Sequence, residues 1–377
     1  MTKPRAYLDW NADTPLCAAA RRAMLRVWDL GALNPSSAHA GGQKARAVVE
    51  EARRSMAGML GCAPEEIIFT AGGTEADNMA VRGAPVDRFI VSFMEHPAVM
   101  KPAKASGRPV ALLEVDGDGV ADLEALERHL AAGGGRALVC LMFASNESGT
   151  LQPVREAVEI ARRHDALVFC DAVQGAGKTE VDFASLGVDM LAISAHKFGG
   201  PQGVGALVVR GGLPLEPLLL GGGQERRRRA GTENVAGIAG MAAALEAALE
   251  NGAEKESRIR ALRDGLESEL KEITPEAVIF AERAPRMANT TWFAHPRIDA
   301  QAALMAFDLD GVAISAGSAC HSGRAEVPRS LIAMGVDGDL AKRALRVSLG
   351  PDTTENDIRL FLSSWRAQAE RMNRNAA

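Results

Sequence analysis

Seven short apolar runs, rich in β-branched residues, recur between about residues 43 and 250 with amphipathic stretches among them, and this alternation limits the possible folds more than any other feature. The runs are "EIIFTAGG", "RFIVSFMEH", "VALLEVD", "RALVCLMFAS", "ALVFCDAV", "DMLAISAH" and "GALVVR". Intervening segments such as "LQPVREAVEIARRHD" (151–165) are apolar near i, i+3, i+4 and i+7, the spacing that lines one face of a helix. Strands apolar on both faces belong in a sheet covered by helices on both sides. The expectation is an α/β domain built on a mostly parallel seven-stranded sheet. After about residue 250 a charged helical segment opens a region with scattered strands, "AVIFAE", "NTTWFAH", "GVAISAG" and "ALRVSLG", and a final helix pattern, which suggests a smaller α+β domain.

At 377 residues the chain is long enough for two domains. The start lacks the apolar core of a secretory signal, and no stretch reaches the roughly 18 apolar residues of a membrane span, so a cytoplasmic protein without membrane attachment is expected. A net charge of −5 argues against general polyanion binding. The run "ERRRRAGTEN" is a local exception that, alone, reads as a solvated loop or an RNA-like patch. Five cysteines without a C-x-x-C pair encode neither a disulfide framework nor a zinc cluster, and no metal ligands are assigned. Cys140 and Cys170 sit in apolar runs and read as core, whereas Cys320, in "ISAGSACHSG", reads as an exposed loop thiol, idle or nucleophilic.

In open α/β sheets the ligand sits beyond the carboxyl ends of the strands, so the residues following each run carry the functional reading. After the first comes "AGGTEADN", a glycine turn with Thr74 as the expected helix cap, able to hold one phosphate on free N–H groups. It lacks the Walker lysine and the G-x-G-x-x-G spacing of nucleotide loops. Later runs end in His96, Asn146, Asp171 with Gln174, and Ser194-Ala195-His196-Lys197. Only nine of the 43 basic residues are lysine, and a primary amine at Lys197 can do what a guanidinium cannot: lose a proton and attack a carbonyl. An amine, a carboxylate and a phosphate-binding turn meeting in one crevice match the needs of pyridoxal phosphate, whose aldehyde bonds lysine and whose ring nitrogen needs an acid.

These residues resemble the cysteine desulfurases of the class V aminotransferase family of pyridoxal-phosphate enzymes. The likeness runs in order through "YLDWNADTPL", "NPSSAH", "FTAGGTEADN", "MEHPAV", "NESGTLQP", "DAVQGAGK", "SAHKFGGPQGVGAL", "RRAGTEN", "ISAGSACHSG" and "LRVSLG". It implies the pyridoxal-phosphate transferase type I fold, with residues 14–250 as the cofactor-binding domain and 1–13 with 251–377 as a small domain carrying the cysteine loop. It implies Lys197 as the Schiff-base lysine, Asp171 as partner of the ring nitrogen, Gln174 as donor to the ring phenolate and His96 as a stacked acid/base group. Gly73, Thr74, Ser194 and His196 would surround the phosphate. Asn146 would touch cofactor and substrate, Arg346 would clamp the substrate carboxylate, and Cys320 would accept sulfur.

The resemblance also implies a homodimer in which "RRAGTEN" crosses the interface and Thr232 reaches the other subunit's phosphate, so direct nucleic-acid binding is not expected. The implied reaction converts L-cysteine to L-alanine and leaves a persulfide on Cys320 for an iron–sulfur scaffold or another sulfur-acceptor protein. Departures from the family pattern, His321 after the cysteine and "EVPRSLIAMG" further on, bear on the acceptor more than on the chemistry. Rival readings are an aminotransferase or a selenocysteine lyase on the same fold, and a non-enzymatic nucleotide- or RNA-binding protein.

Overall fold

The computed structural model describes residues 5–316 and 327–376, and in it all seven runs join one sheet. In chain order after a two-residue β1 (Ala6–Tyr7), these strands are β2 (Ile67–Thr70), β3 (Arg88–Ser92), β4 (Val110–Leu113), β5 (Ala137–Cys140), β6 (Leu167–Asp171), β7 (Met190–Ser194) and β8 (Gly205–Val209). Their spatial order is β2-β8-β7-β6-β5-β3-β4, with β8 antiparallel to both its neighbours and every other pair parallel. Successive residues feed opposite cores: Val168 and Cys170 pack into one, Leu167 and Phe169 into the other. Both faces are covered, which is why the runs carry no alternating polar residues. The amphipathic stretch at 151–165 forms helix Val154–Arg163, burying Val154, Ala157, Val158 and Ala161 at the spacing its sequence shows.

The C-terminal region builds a second core around Phe293, Phe307, Phe361 and Trp365, joined by Leu8. Phe307 stacks on Phe361 with centroids 5.0 Å apart, and Phe293 meets Trp365 edge-on at 5.3 Å. Its strands are β9 (Val278–Ile279), β10 (Thr290–Ala294), β11 (Val312–Ala313), β12 (Ser315–Ala316) and β13 (Leu345–Ser348), and the antiparallel sheet runs β12-β13-β10-β9. The run "GVAISAG", read as one strand, changes partner at Ile314: β11 pairs with β1, and β12 pairs with β13. Its first partner lies some 300 positions away, so local pattern carries no sign of the break.

From β1 the chain bridges Asp9 to Ser348 and then crosses to the loop after β7. There Thr14 gives both its N–H and its hydroxyl to the carbonyl of His196, at 3.0 and 2.7 Å, and Cys17 N–H donates to Gly199 O. The segment Asp9–Cys17 thereby ties the C-terminal core to the carboxyl ends of the large sheet.

Candidate active site

A cleft of about 810 Å³ opens at those carboxyl ends. Ten of the twelve residues assigned from sequence line it: Gly73, Thr74, His96, Asn146, Asp171, Gln174, Ser194, His196, Lys197 and Arg346. Cys320 and His321 lie outside the described residues. Thr232 is exposed and does not line the cleft of its own chain.

At one end of the cleft helix Gly73–Gly83 begins. Its cap position is Gly72 rather than Thr74, which falls in the first turn, and no side chain caps it. A side chain is excluded here: Gly72 sits at φ 150°, and a Cβ on Gly73 would come within 2.9 Å of Val173 Cγ2. On the far side, a Cβ on Gly205 would fall 2.7 Å from the Gly72 carbonyl carbon, so the turn rests directly on β8. First-turn N–H groups with no side-chain cap, beside Ser194 and His196, make an anion cradle. His196 is oriented from behind, Nδ1 lying 2.9 Å from Asp13 Oδ1, while Gln202 Nε2 donates to Asp13 Oδ2 at 2.7 Å. Burial and the Lys197 charge hold the His196 pKa below the usual imidazole range against the pull of Asp13.

Deeper in, Asp171 ends β6 buried, with Val173 N–H donating to its Oδ1 at 2.9 Å. Burial raises its pKa, opposed by that hydrogen bond, His96 and Lys197. Behind it lie two more buried carboxyls, Asp77 and Glu95, each with an oxygen lacking a hydrogen-bond partner among the described residues. Burial drives both well above the carboxylate range, with Asp171 as the next cause. A cationic ring nitrogen against Asp171 would therefore relieve a site short of positive charge. His96 caps helix Pro97–Ala105, its Nδ1 accepting the Ala98 N–H at 3.1 Å, so in the neutral ring the proton sits on Nε2. Burial pushes its pKa down.

Lys197 Nζ donates to the carbonyls of Asn11 (2.8 Å) and Ala12 (2.7 Å). Arg346 on β13 is almost fully buried, its Nη2 on Asp9 Oδ1 at 2.7 Å and Nη1 on the Asn146 carbonyl at 2.8 Å. Its Nε is buried with no partner among the described residues, a donor left for an anionic ligand. Sequence reasoning assigned no role in the site to Asp9, Asn11, Asp13, Asp77, Glu95 or Lys178. For Asp9, Asn11 and Asp13 the stretch "YLDWNADTPL" carried the signal, as polar residues crowded before a helix, but nothing local says that it lies against the lysine.

The sequence model of the family described as Aminotransferase class-V matches residues 6–361. The chain is 39% identical over 369 residues to cysteine desulfurase IscS of Dictyoglomus turgidum, covering 96% of this chain and 93% of that one. Its structure resembles that of a NifS-like protein from Rickettsia africae, with a TM-score of 0.90, 34% identity and coverage of 97% and 100% of the two chains. It also resembles SspA in complex with cysteine, with a TM-score of 0.77, 28% identity and coverage of 93% and 100%. A family model spanning nearly the whole chain, together with such kinship to named desulfurases, establishes that the chain belongs to the cysteine desulfurases of the aminotransferase class-V family.

Proposed function

We propose that the chain converts L-cysteine to L-alanine, holding pyridoxal phosphate on Lys197 and passing the sulfur to Cys320. The family is pyridoxal-phosphate dependent. The observation that carries the reading is Lys197 at a strand end, in one cleft with buried Asp171 and an uncapped glycine turn. When bound, pyridoxal phosphate supplies an aldehyde that bonds amines and a ring that takes up the electron pair freed at the substrate α-carbon. Gly73, Thr74, Ser194 and His196 would hold its phosphate, Asp171 the proton on its ring nitrogen, and Gln174 and Asn146 its polar edge.

Arg346 would bind the substrate carboxylate and so orient the α-carbon. Lys197, released from the carbonyls of Asn11 and Ala12, takes the α-proton, and neutral His96 offers Nε2 for proton transfer. The Cys320 thiolate attacks the substrate sulfur; an S–S bond forms as the C–S bond breaks, and the electron pair stays with carbon, which is then protonated on the way to alanine. A thiol in this role has no use in transamination, so the aminotransferase reading is not favoured.

Iron–sulfur cluster assembly is assigned as the sulfur's destination on kinship with proteins named IscS and NifS-like, with a scaffold or similar acceptor protein as partner. The free thiols Cys17, Cys62, Cys140 and Cys170 suit a reducing cytoplasm. A homodimer sharing its sites is supported by exposed Thr232 and by apolar side chains left in solvent, among them Trp28 at 60% and Leu220 at 85%. The test is twofold. Borohydride reduction of the yellow enzyme should place the label on Lys197, and Cys320→Ser should keep the colour and bind L-cysteine yet release neither sulfide nor alanine. Turnover at the parental rate in that variant would replace the persulfide route with direct elimination.

A further inference from the structure

Behind the cleft, Lys178 reaches forward from the loop after β6. Its Nζ donates to Gln174 Oε1 at 2.7 Å and to Asn11 Oδ1 at 3.0 Å. An amide side chain has one acceptor end and one donor end, and these two contacts take the acceptor ends of both neighbours. For Gln174 this fixes the flip: with Oε1 held by an amine, the NH₂ must turn the other way. One of its hydrogens goes to the Asn11 carbonyl at 3.0 Å, the same oxygen that accepts from Lys197 Nζ at 2.8 Å. The second hydrogen is left for the cleft, which Gln174 lines.

Asn11 is locked in turn. Asn289 Nδ2 donates to its Oδ1 at 2.9 Å, and its own Nδ2 donates to Thr290 Oγ1 at 2.9 Å. Lys178 itself does not line the cleft; it borders a separate cavity of about 920 Å³ on the far side, with Lys197 common to both. Its nearest link to the cleft is Gln174, which lines it and accepts from Lys178 Nζ.

We infer that Lys178 is a positioning residue that holds Gln174 as a hydrogen-bond donor toward the cofactor's ring oxygen, and so sets how readily the lysine–cofactor adduct loses its proton. The inference rests on the reading of Gln174 as facing that oxygen. Burial pushes the Lys178 pKa well below the lysine range, with Lys197 and Arg346 adding to the shift. A donor to the ring oxygen stabilises its negative charge most when the adduct nitrogen has no proton left to share, so loss of the donor favours the protonated adduct.

The experiment is a pH titration of the visible absorption band of the cofactor-loaded enzyme, without substrate. Lys178→Met keeps most of the stem and removes the donor; its band midpoint should rise by about one pH unit. Lys178→Ala, which only extends the rear cavity, gives the same reading if the Met variant does not fold. Gln174→Leu should raise the midpoint at least as far, and Lys178→Met should add little in that background, because the lysine acts through the amide. A Lys178→Met midpoint at the parental value, with only the melting temperature lowered, overturns the proposal and leaves the lysine a structural role. A full additional shift in the Gln174→Leu background overturns it too, since the lysine would then act by charge through space. If Gln174→Leu itself leaves the midpoint unmoved, the underlying reading of Gln174 fails.

Discussion

Glu147, just past the end of β5, shows how one buried carboxyl carries a pH dependence. Ser330 Oγ hydrogen-bonds its Oε2 and Arg346 is near, yet burial outweighs both and raises its pKa to about 7. Unfolded, it would titrate near about 4.3. Between those values the folded protein keeps a proton that the unfolded chain releases, so this group's contribution is intact at pH 4 and is lost as the pH rises through 7. Glu147→Gln, neutral throughout, should gain up to about 4 kcal/mol over the parent at pH 8 and nothing at pH 4, measured by urea unfolding at each pH. Identical differences at both pH values would show that Glu147 is already ionised in the fold. Among single residues, the place of Lys197, Asp171 and His96 in the cleft was legible because each ends an apolar run and has chemistry that a loop residue rarely needs. Asn11 and Lys178 were not, since an amide or a lysine is given meaning only by the partner placed against it.

The run "ERRRRAGTEN" is the element whose reading changed most between sequence and fold. Two of its charges form close ion pairs within the fold. Glu225 is buried and takes Arg53 in a two-pronged pair, at 2.8 and 2.9 Å, while also accepting the Phe69 N–H. Arg229 clasps Glu75 in the first turn of the phosphate-side helix at 2.8 Å. Glu225, Arg226 and Arg227 hold φ values of 43°, 55° and 65°, left-handed backbone that non-glycine residues adopt at a cost. The anchoring pair is what keeps them there. Glu225→Ala leaves the buried Arg53 guanidinium with only Glu50 and the Ile67 carbonyl and should destabilise by about 2–3 kcal/mol, whereas exposed Arg226→Ala should change stability by no more than about 0.5 kcal/mol. Denaturant unfolding of the two variants side by side measures this, and equal small effects would mean the segment is not held by Glu225. Charge composition alone gave no way to tell the closely ion-paired residues of this run from the others.

Across the whole molecule, the strongest expectation concerns how two copies share a site. Thr232 is exposed and does not line its own chain's cleft. A mixed dimer of one Thr232→Ala subunit and one Lys197→Ala subunit should therefore hold one site per dimer with parental cofactor affinity, since the intact lysine and the intact threonine then fall in the same site. Weak binding in that mixed dimer would place Thr232 in its own subunit's site instead. No helix among the described residues is long and apolar enough to cross a membrane. The amino-acid sequence by itself determined the seven strands, their burial on both faces and the residues at their ends, because side-chain periodicity and solvation act within a few positions. Tertiary structure alone decided what lies against those ends. The Asp9–Cys17 segment meets the lysine loop across more than 180 positions, "GVAISAG" divides between partners from opposite ends of the chain, and Lys178, only four positions from Gln174, meets Asn11 at 3.0 Å across 167 positions. Contacts of that kind depend on where the packed cores bring distant backbone together, and local pattern does not encode it.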